Sequence, residues 1–147
     1  MAMATVKSRW AFLVVGLLLG AGLMRGHGAL FAADAPPARV FEIRTYHTFP
    51  GRLDALHKRF REHTRRIFEK HGMTNIGYWV PQDSPAHENT LVYIVSHASR
   101  EQAKANWAAF VADPEWKKVA EDSQKDGKII DRIESVFMDA TDYSPIR

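Results

Sequence analysis

The sequence predicts an α+β domain with elements in the order βαββαβ. Three observations carry this. Four runs rich in β-branched and aromatic residues, VFEIRTYH from 40, NIGYWV from 75, TLVYIVSH from 90 and IIDRIESVFMDA from 129, read as strands. Between the first two lies RLDALHKRFREHTRRIFEKHG, where Leu53, Leu56, Phe60, His63 and Ile67 recur at spacings of three and four. Between the last two lies a second helical stretch that begins at Ser99. Strands and helices in this order form the ferredoxin-like pattern, an antiparallel four-stranded sheet with both helices on one face.

The elements follow a segment that is not domain-like. Lys7 and Arg9 precede the apolar run WAFLVVGLLLGAGLM, and small residues then lead to LFAAD. This is the layout of a signal peptide over residues 1–33, with cleavage expected near Ala32 or Ala33. The run is shorter than the ~20 residues a spanning helix needs, so no membrane span is expected after cleavage. Residues 34–39, with the PPAR stretch, form a linker, and 40–147 form the domain. The expected location is exported, either periplasmic or secreted.

Pro50 and Gly51 turn the first strand into the first helix, whose outer face carries Lys58, Arg61, Glu62, Arg65, Arg66 and Glu69. Gly72 suits the C′ position, with Lys70 and His71 in the preceding turn. Pro81 stops the second strand, and PQDSPAHEN is a polar loop. The third strand is the most apolar, as expected of a central strand with both faces covered. Ser99 with Gln102 forms a capping box, and Ala103, Trp107, Phe110 and Val111 form the buried stripe of the second helix. Asp113-Pro114 interrupts it and starts a short continuation through Trp116, Val119 and Ala120. The fourth strand ends in the extended tail TDYSPIR.

The formal charge of +3 arises in the leader. Lys7, Arg9 and Arg25 lie there, which leaves 17 of the 20 Lys and Arg against 17 Asp and Glu from Asp34 onward. A neutral domain lacks the basic footprint of a nucleic-acid binder. No cysteine is present, so disulfides and thiolate metal ligands are excluded. H-E-x-x-H, G-x-S-x-G and G-x-G-x-x-G are absent, so zinc, serine-nucleophile and nucleotide chemistry have no sequence support, and neither metal nor cofactor is expected.

Candidate chemistry starts in the first strand. Alternation places Phe41 and Ile43 on one face, with Glu42, Arg44 and Tyr46 on the other. The expectation is that Phe41, Ile43, Ile133 and Phe137 sit under the helices. Glu42, Arg44, Tyr46, Arg132 and Glu134 would then share the second face with either Tyr78 or Trp79. Two readings stay open. Acids and bases on neighbouring strands form an ion-pair lattice, or Arg44 binds a carboxylate or enolate oxygen while Tyr46 donates to the same ligand. His63, on the apolar stripe, is either a core residue or a proton shuttle. His47 and His97 end strands and could approach a cavity mouth.

The pieces FEIRTYHTFPGRLDAL, FREHTRRIFEKHGM, IGYWV, NTLVYIVSH, WAAFVADPEW and RIESVFMDATDYSP cover nearly all of residues 40–145 and resemble the NIPSNAP family. The resemblance implies a dimeric α+β barrel, in which two ferredoxin-like sheets pack face to face as a homodimer. The Glu42, Arg44 and Tyr46 face would then look into a shared interior. Related barrels include cofactor-independent monooxygenases, haem-degrading enzymes and small isomerases, as well as binding modules, and fold alone does not choose among them. Two functions follow as expectations. One is a homodimeric module binding a small apolar or amphipathic ligand or an exported protein partner, with Glu42, Arg44, Tyr46, Tyr78, Trp79, Arg132 and Glu134 as ligand-binding candidates. The alternative is a cofactor-independent monooxygenase- or isomerase-like enzyme, with Arg44, Tyr46 and His63 as catalytic candidates.

Overall fold

The computed structural model describes residues 39–147, so the expected signal peptide and most of the linker lie outside the described residues. The elements are β1 (Val40–Thr48), α1 (Leu53–Arg59), a π-helical turn (Phe60–Thr64), α2 (Arg65–Lys70), β2 (Thr74–Trp79), α3 (Ala86–Asn89), β3 (Thr90–His97), α4 (Arg100–Ala112), α5 (Pro114–Asp122) and β4 (Ile130–Asp139). The sheet order is β2-β3-β1-β4, with all neighbours antiparallel. This is the expected ferredoxin-like α+β fold. The expected polar loop contains one short helix, α3.

The helix boundaries follow from capping. Gly72 adopts φ +74° and closes α2 in a Schellman arrangement, with Met73 N donating to Phe68 O and Gly72 N to Glu69 O, both at 3.0 Å. Ser99 Oγ accepts from Gln102 N at 3.0 Å to start α4. The expected box is only half formed, because the Gln102 side chain turns to Asn106 Oδ1 at 2.8 Å. Asp113 ends α4 and caps α5, accepting from Glu115 N at 2.7 Å with Pro114 at the first helical position. Its other oxygen meets Lys70 Nζ at 2.7 Å and His71 Nε2 at 2.6 Å, so one carboxylate joins the end of α2 to the start of α5.

The core lies between the sheet and the helices. Tyr46, Leu91, Tyr93 and Val95 face Leu56, Phe60, Ile67, Phe68 and Phe110, with Met73 and Ile129 filling the ends. The expected assignment of faces is therefore inverted for β1, while Ile133 and Phe137 of β4 lie on the helix side as expected. Glu42, Arg44 and Tyr46 point under the helices of their own chain, and Phe41 and Ile43 lie on the other face. Register makes the consequence explicit. Glu42, Arg44 and Tyr46 pair with Phe137, Ser135 and Ile133, while Phe41, Ile43, Thr45 and His47 pair with Met138, Val136, Glu134 and Arg132. The expected four-residue lattice is split across the two faces of the sheet. Arg132 and Glu134 bond each other at 3.2 Å beside His47 on the open side.

A buried carboxylate explains the inversion. Glu42, 1% exposed, accepts from Arg44 Nη1 at 2.7 Å and Ser135 Oγ at 2.6 Å on one oxygen. Its other oxygen accepts from Trp107 Nε1 at 2.6 Å and meets His97 Nε2 at 3.2 Å. Donors from α4, β3 and β4 thus converge on β1, and a carboxylate so well supplied is stable in the interior where an unpaired one would not be. Behind it, Asn106 Nδ2 faces His97 Nδ1 at 3.3 Å and donates to Gly72 O at 3.1 Å.

Burial alone would raise the Glu42 pKa, but the hydrogen bonds from His97, Ser135 and Trp107 and the charge of Arg44 hold it at about 2. A carboxyl whose folded pKa lies below its unfolded value stabilises above the unfolded pKa and loses that contribution as pH falls through the folded one. The protein is therefore expected to lose about 3 kcal/mol of unfolding free energy between pH ~4.5 and ~2 from this group. Urea titrations at stepped pH measure it, and the loss is absent in Glu42→Leu. That variant itself costs about 3–5 kcal/mol at pH 7, because it leaves the Arg44 charge and three donors unpaired. A midpoint unchanged from wild type would refute the role of Glu42.

Candidate functional site

The helix layer covers β2, β3 and β1 but stops short of β4, where Ile133 and Ser135 remain exposed on the helix side. Between this overhang and the helices lies a cleft of about 280 Å³. Its floor is Arg44 and Tyr46 of β1 with Ile130 and Ile133 of β4, and its walls include Phe68, Trp107, Phe110 and Trp116. Arg59 closes it from the α1 side, and Gln124 and Ala120 stand at the α5 side.

The π-turn is the local device that builds this wall. Arg65 N bonds back to Phe60 O, and Thr64 Oγ donates to Arg59 O at 3.2 Å, so the chain returns to the buried face one residue late. Thr64 is buried as a result, beside Arg59 and Phe60, which the regular spacing after Leu56 already places on that face. His63, expected on that face, is displaced outward. Its side chain is 44% exposed and lies 3.8 Å from Glu62, in a surface groove with Lys58 and Asp122. The alternation of apolar residues carried no mark of an extra residue in the turn.

The two guanidinium groups of the cleft differ in their partners. Arg44 is paired with Glu42 and lies over the Trp107 ring, 4.2 Å from its centroid. Burial alone would lower its pKa, but Tyr46, Tyr93 and Glu42 together raise it above the ordinary arginine value. Arg59 is 4% exposed, stacks 5.3 Å from the Trp116 centroid and has only a long 3.4 Å bond to Ser123 Oγ. Among the described residues no carboxylate lies within ion-pair distance of it. Burial lowers its pKa, with Tyr46 and Tyr93 opposing in part. The Nε atoms of both arginines are buried without a hydrogen-bond partner among the described residues. Among the described residues, no acidic side chain lines the cleft.

Of the residues singled out from sequence, Arg44 and Tyr46 meet in this cleft. Glu42 stands behind Arg44 with its oxygens fully engaged. His97 is buried behind Glu42 rather than at a cavity mouth. Tyr78 lies on the helix side, stacked 5.5 Å from Tyr93 and bonded through its hydroxyl to Asn75, outside the cleft lining. Trp79 lies on the open face of the sheet, 52% exposed, as do Arg132 and Glu134. Val111, expected in the buried stripe, stands exposed at the cleft rim. Sequence reasoning missed Arg59, which sits among solvated charges in the run HKRFREHTRR. The signal that could have found it is its place three residues after Leu56 and beside Phe60, on the buried arc. Among the described residues, no group of three or more His, Asp and Glu is placed to hold a metal ion.

The NIPSNAP family profile matches residues 41–145. Among solved structures, a NIPSNAP family protein of unknown function from Agrobacterium tumefaciens superposes with a TM-score of 0.66 at 25% identity, covering 77% of this chain and 97% of that one. An uncharacterised NIPSNAP-like domain protein from Burkholderia xenovorans gives 0.64 at 19% identity, over 74% and 90% of the two chains. A second Agrobacterium tumefaciens NIPSNAP protein gives 0.64 at 22% identity, over 74% and 99%. No curated protein matches in sequence. With the profile spanning all four strands and both helical segments between them, the chain belongs to the NIPSNAP family.

Proposed function

We propose that this NIPSNAP-domain protein is an exported homodimeric binding module whose helix–sheet cleft takes a small amphipathic ligand. The observation that carries the reading is Arg59, a buried guanidinium with no carboxylate partner among the described residues, set in an aromatic-walled cleft beside Arg44. A charged side chain is seldom kept in such a place without a counter-charge, and burying it costs stability. Concave, largely apolar sites with a few convergent polar groups are the usual form of small-molecule sites. The site lies within one chain rather than in an interior shared by two.

The open face of the sheet supports the dimer. Trp79 at 52% and Val136 at 57% exposure extend an apolar surface through Ile43 and Val92, and the tail lies beside the end with Phe41, Ile76, Ile94 and Met138. A second copy packing its own sheet on this face would bury it, as in face-to-face sheet packing. Export rests on Lys7, Arg9 and the apolar run that follows them.

The enzymatic alternative keeps its oxyanion-stabilising half, since Arg44 and Tyr46 both line the cleft. Its proton-transfer half is weakened. His63 lies outside the cleft, and Glu42, ionised and bonded to four donors, is a poor base.

Produced from the full sequence in an exporting host, the protein is expected to begin near Asp34 and to appear in native mass spectrometry as a dimer carrying a small-molecule mass. Ala120→Trp, which fills the cleft from α5, should remove that mass and leave the dimer folded. Retention of the mass in this variant would place the ligand elsewhere. Val136→Arg is expected to give a folded monomer by sedimentation analysis, with the dissociation constant raised at least about a hundredfold by desolvating an unpaired charge at an apolar interface. A wild-type monomer at micromolar concentration would refute the dimer.

A further inference from the structure

We propose that the ligand of this cleft is an aromatic carboxylate carrying one negative charge, recognised through Arg59; this deepens the binding reading above and rests on it. Charge sets the first limit. The charged side chains lining the cleft are Arg44 and Arg59, and Glu42 at 2.7 Å already balances Arg44. One positive charge is left over, which suits a monoanion, and no second unbalanced cation lines the site to hold a dianion.

The surplus is not absorbed by neighbouring acids. On the far side of Arg59 the surface groove carries Glu62, Glu115, Asp122 and Asp126. Asp122 is held by Lys118 at 2.6 Å and Lys125 at 2.7 Å, and Glu115 is held by Arg66 with Lys70 at 3.4 Å. Asp122 and Glu115 thus have partners of their own. Among the described residues none of the four acids lies within ion-pair distance of Arg59, which lines both the groove and the cleft and whose Nε is buried unpaired. A planar guanidinium fork matches the two oxygens of a carboxylate better than a hydroxyl or an amide.

The walls set the second limit. Phe110 lies 5.7 Å from Trp107 and 4.3 Å from Trp116, ring centroid to centroid, and Phe68 lies 5.3 Å from Trp107. The Trp107 ring is fixed by its bond to Glu42, so the faces that meet a ligand are held in place before it arrives. Flat rings offered on several sides favour a flat, aromatic ligand body. The third limit is size. A cleft of about 280 Å³ holds the volume of about nine waters, which accommodates one ring with a short carboxylate arm.

The test is calorimetric titration of the purified protein with trans-cinnamate, its neutral isostere cinnamamide and the non-aromatic hexanoate. Cinnamate is expected to bind at least about tenfold more tightly than either. In Arg59→Met the preference over cinnamamide should vanish while the weaker amide binding persists. The same variant should melt no lower than wild type, because a buried unpaired cation has been replaced by an apolar chain of similar length. Arg59→Lys, which keeps the charge without the fork, should retain a reduced preference. Equal binding of cinnamate and cinnamamide, both blocked by Ala120→Trp, overturns the charge recognition and leaves the cleft as a ligand site. Equal binding of hexanoate overturns the aromatic class. An Arg59→Met protein that unfolds or melts well below wild type makes Arg59 a structural residue and overturns the proposal. If none of the three compounds produces heat that Ala120→Trp abolishes, and no mass is carried by the native protein, the binding reading falls as well.

Discussion

The rest of the domain depends on one buried carboxylate. Glu42 draws Arg44 of its own strand, Ser135 of β4, His97 of β3 and the Trp107 indole of α4 to its two oxygens. Bonds to an ionised acceptor in a dry interior are strong, and each donor would be left unpaired without it. The arrangement therefore decides which face of β1 meets the helices. It also pins α4 over the sheet through Trp107 and aligns β4 through Ser135. The same contacts depress the Glu42 pKa, so the group that orders the fold stays charged across the neutral range.

From that anchor the site follows. Arg44 is neutralised by Glu42 and held flat on Trp107, so it contributes shape and hydrogen-bond donors more than net charge. Arg59 comes from a different place, the end of α1, where it stands three residues after Leu56 on the buried arc of an otherwise charged and solvated helix. Structural ion pairs and binding groups are often hard to separate because both perturb pKa values. Here they separate by partner, since one arginine has its carboxylate and the other has none. The two faces of the sheet are divided in the same way. The helix side carries the polar network and the cleft, and the open side carries an apolar field with His47, Arg132 and Glu134 at its edge.

Most of the architecture was legible in the residue pattern. Periodicity marked four strands and the two helical layers, and the end signals at Gly72, Ser99 and Asp113-Pro114 stand where the hydrogen bonds place the helix boundaries. Those signals are local, since a positive φ, a side-chain cap or a missing proline N–H acts within a few residues. The site was legible only in part. Arg44 and Tyr46 stood out and do come together, but Arg132 and Glu134 were placed with them and lie across the sheet. His63, expected on the buried stripe, lies at the surface, and Arg59, which the pattern did not single out, lines the cleft.

The sequence by itself determined the order of elements, their ends, the topology and, through motifs spread along nearly the whole domain, the family. Only the tertiary structure decided which face of β1 looks inward. A strand with apolar side chains on one face and Glu, Arg and Tyr on the other is ambiguous when both faces have something to cover them, because hydropathy ranks burial and not partners. The choice was made by donors 55, 65 and 93 residues away from Glu42 in the chain. Such long-range convergence leaves no periodic trace, and neither does the single extra residue of the π-turn that brings Thr64 inward in place of His63.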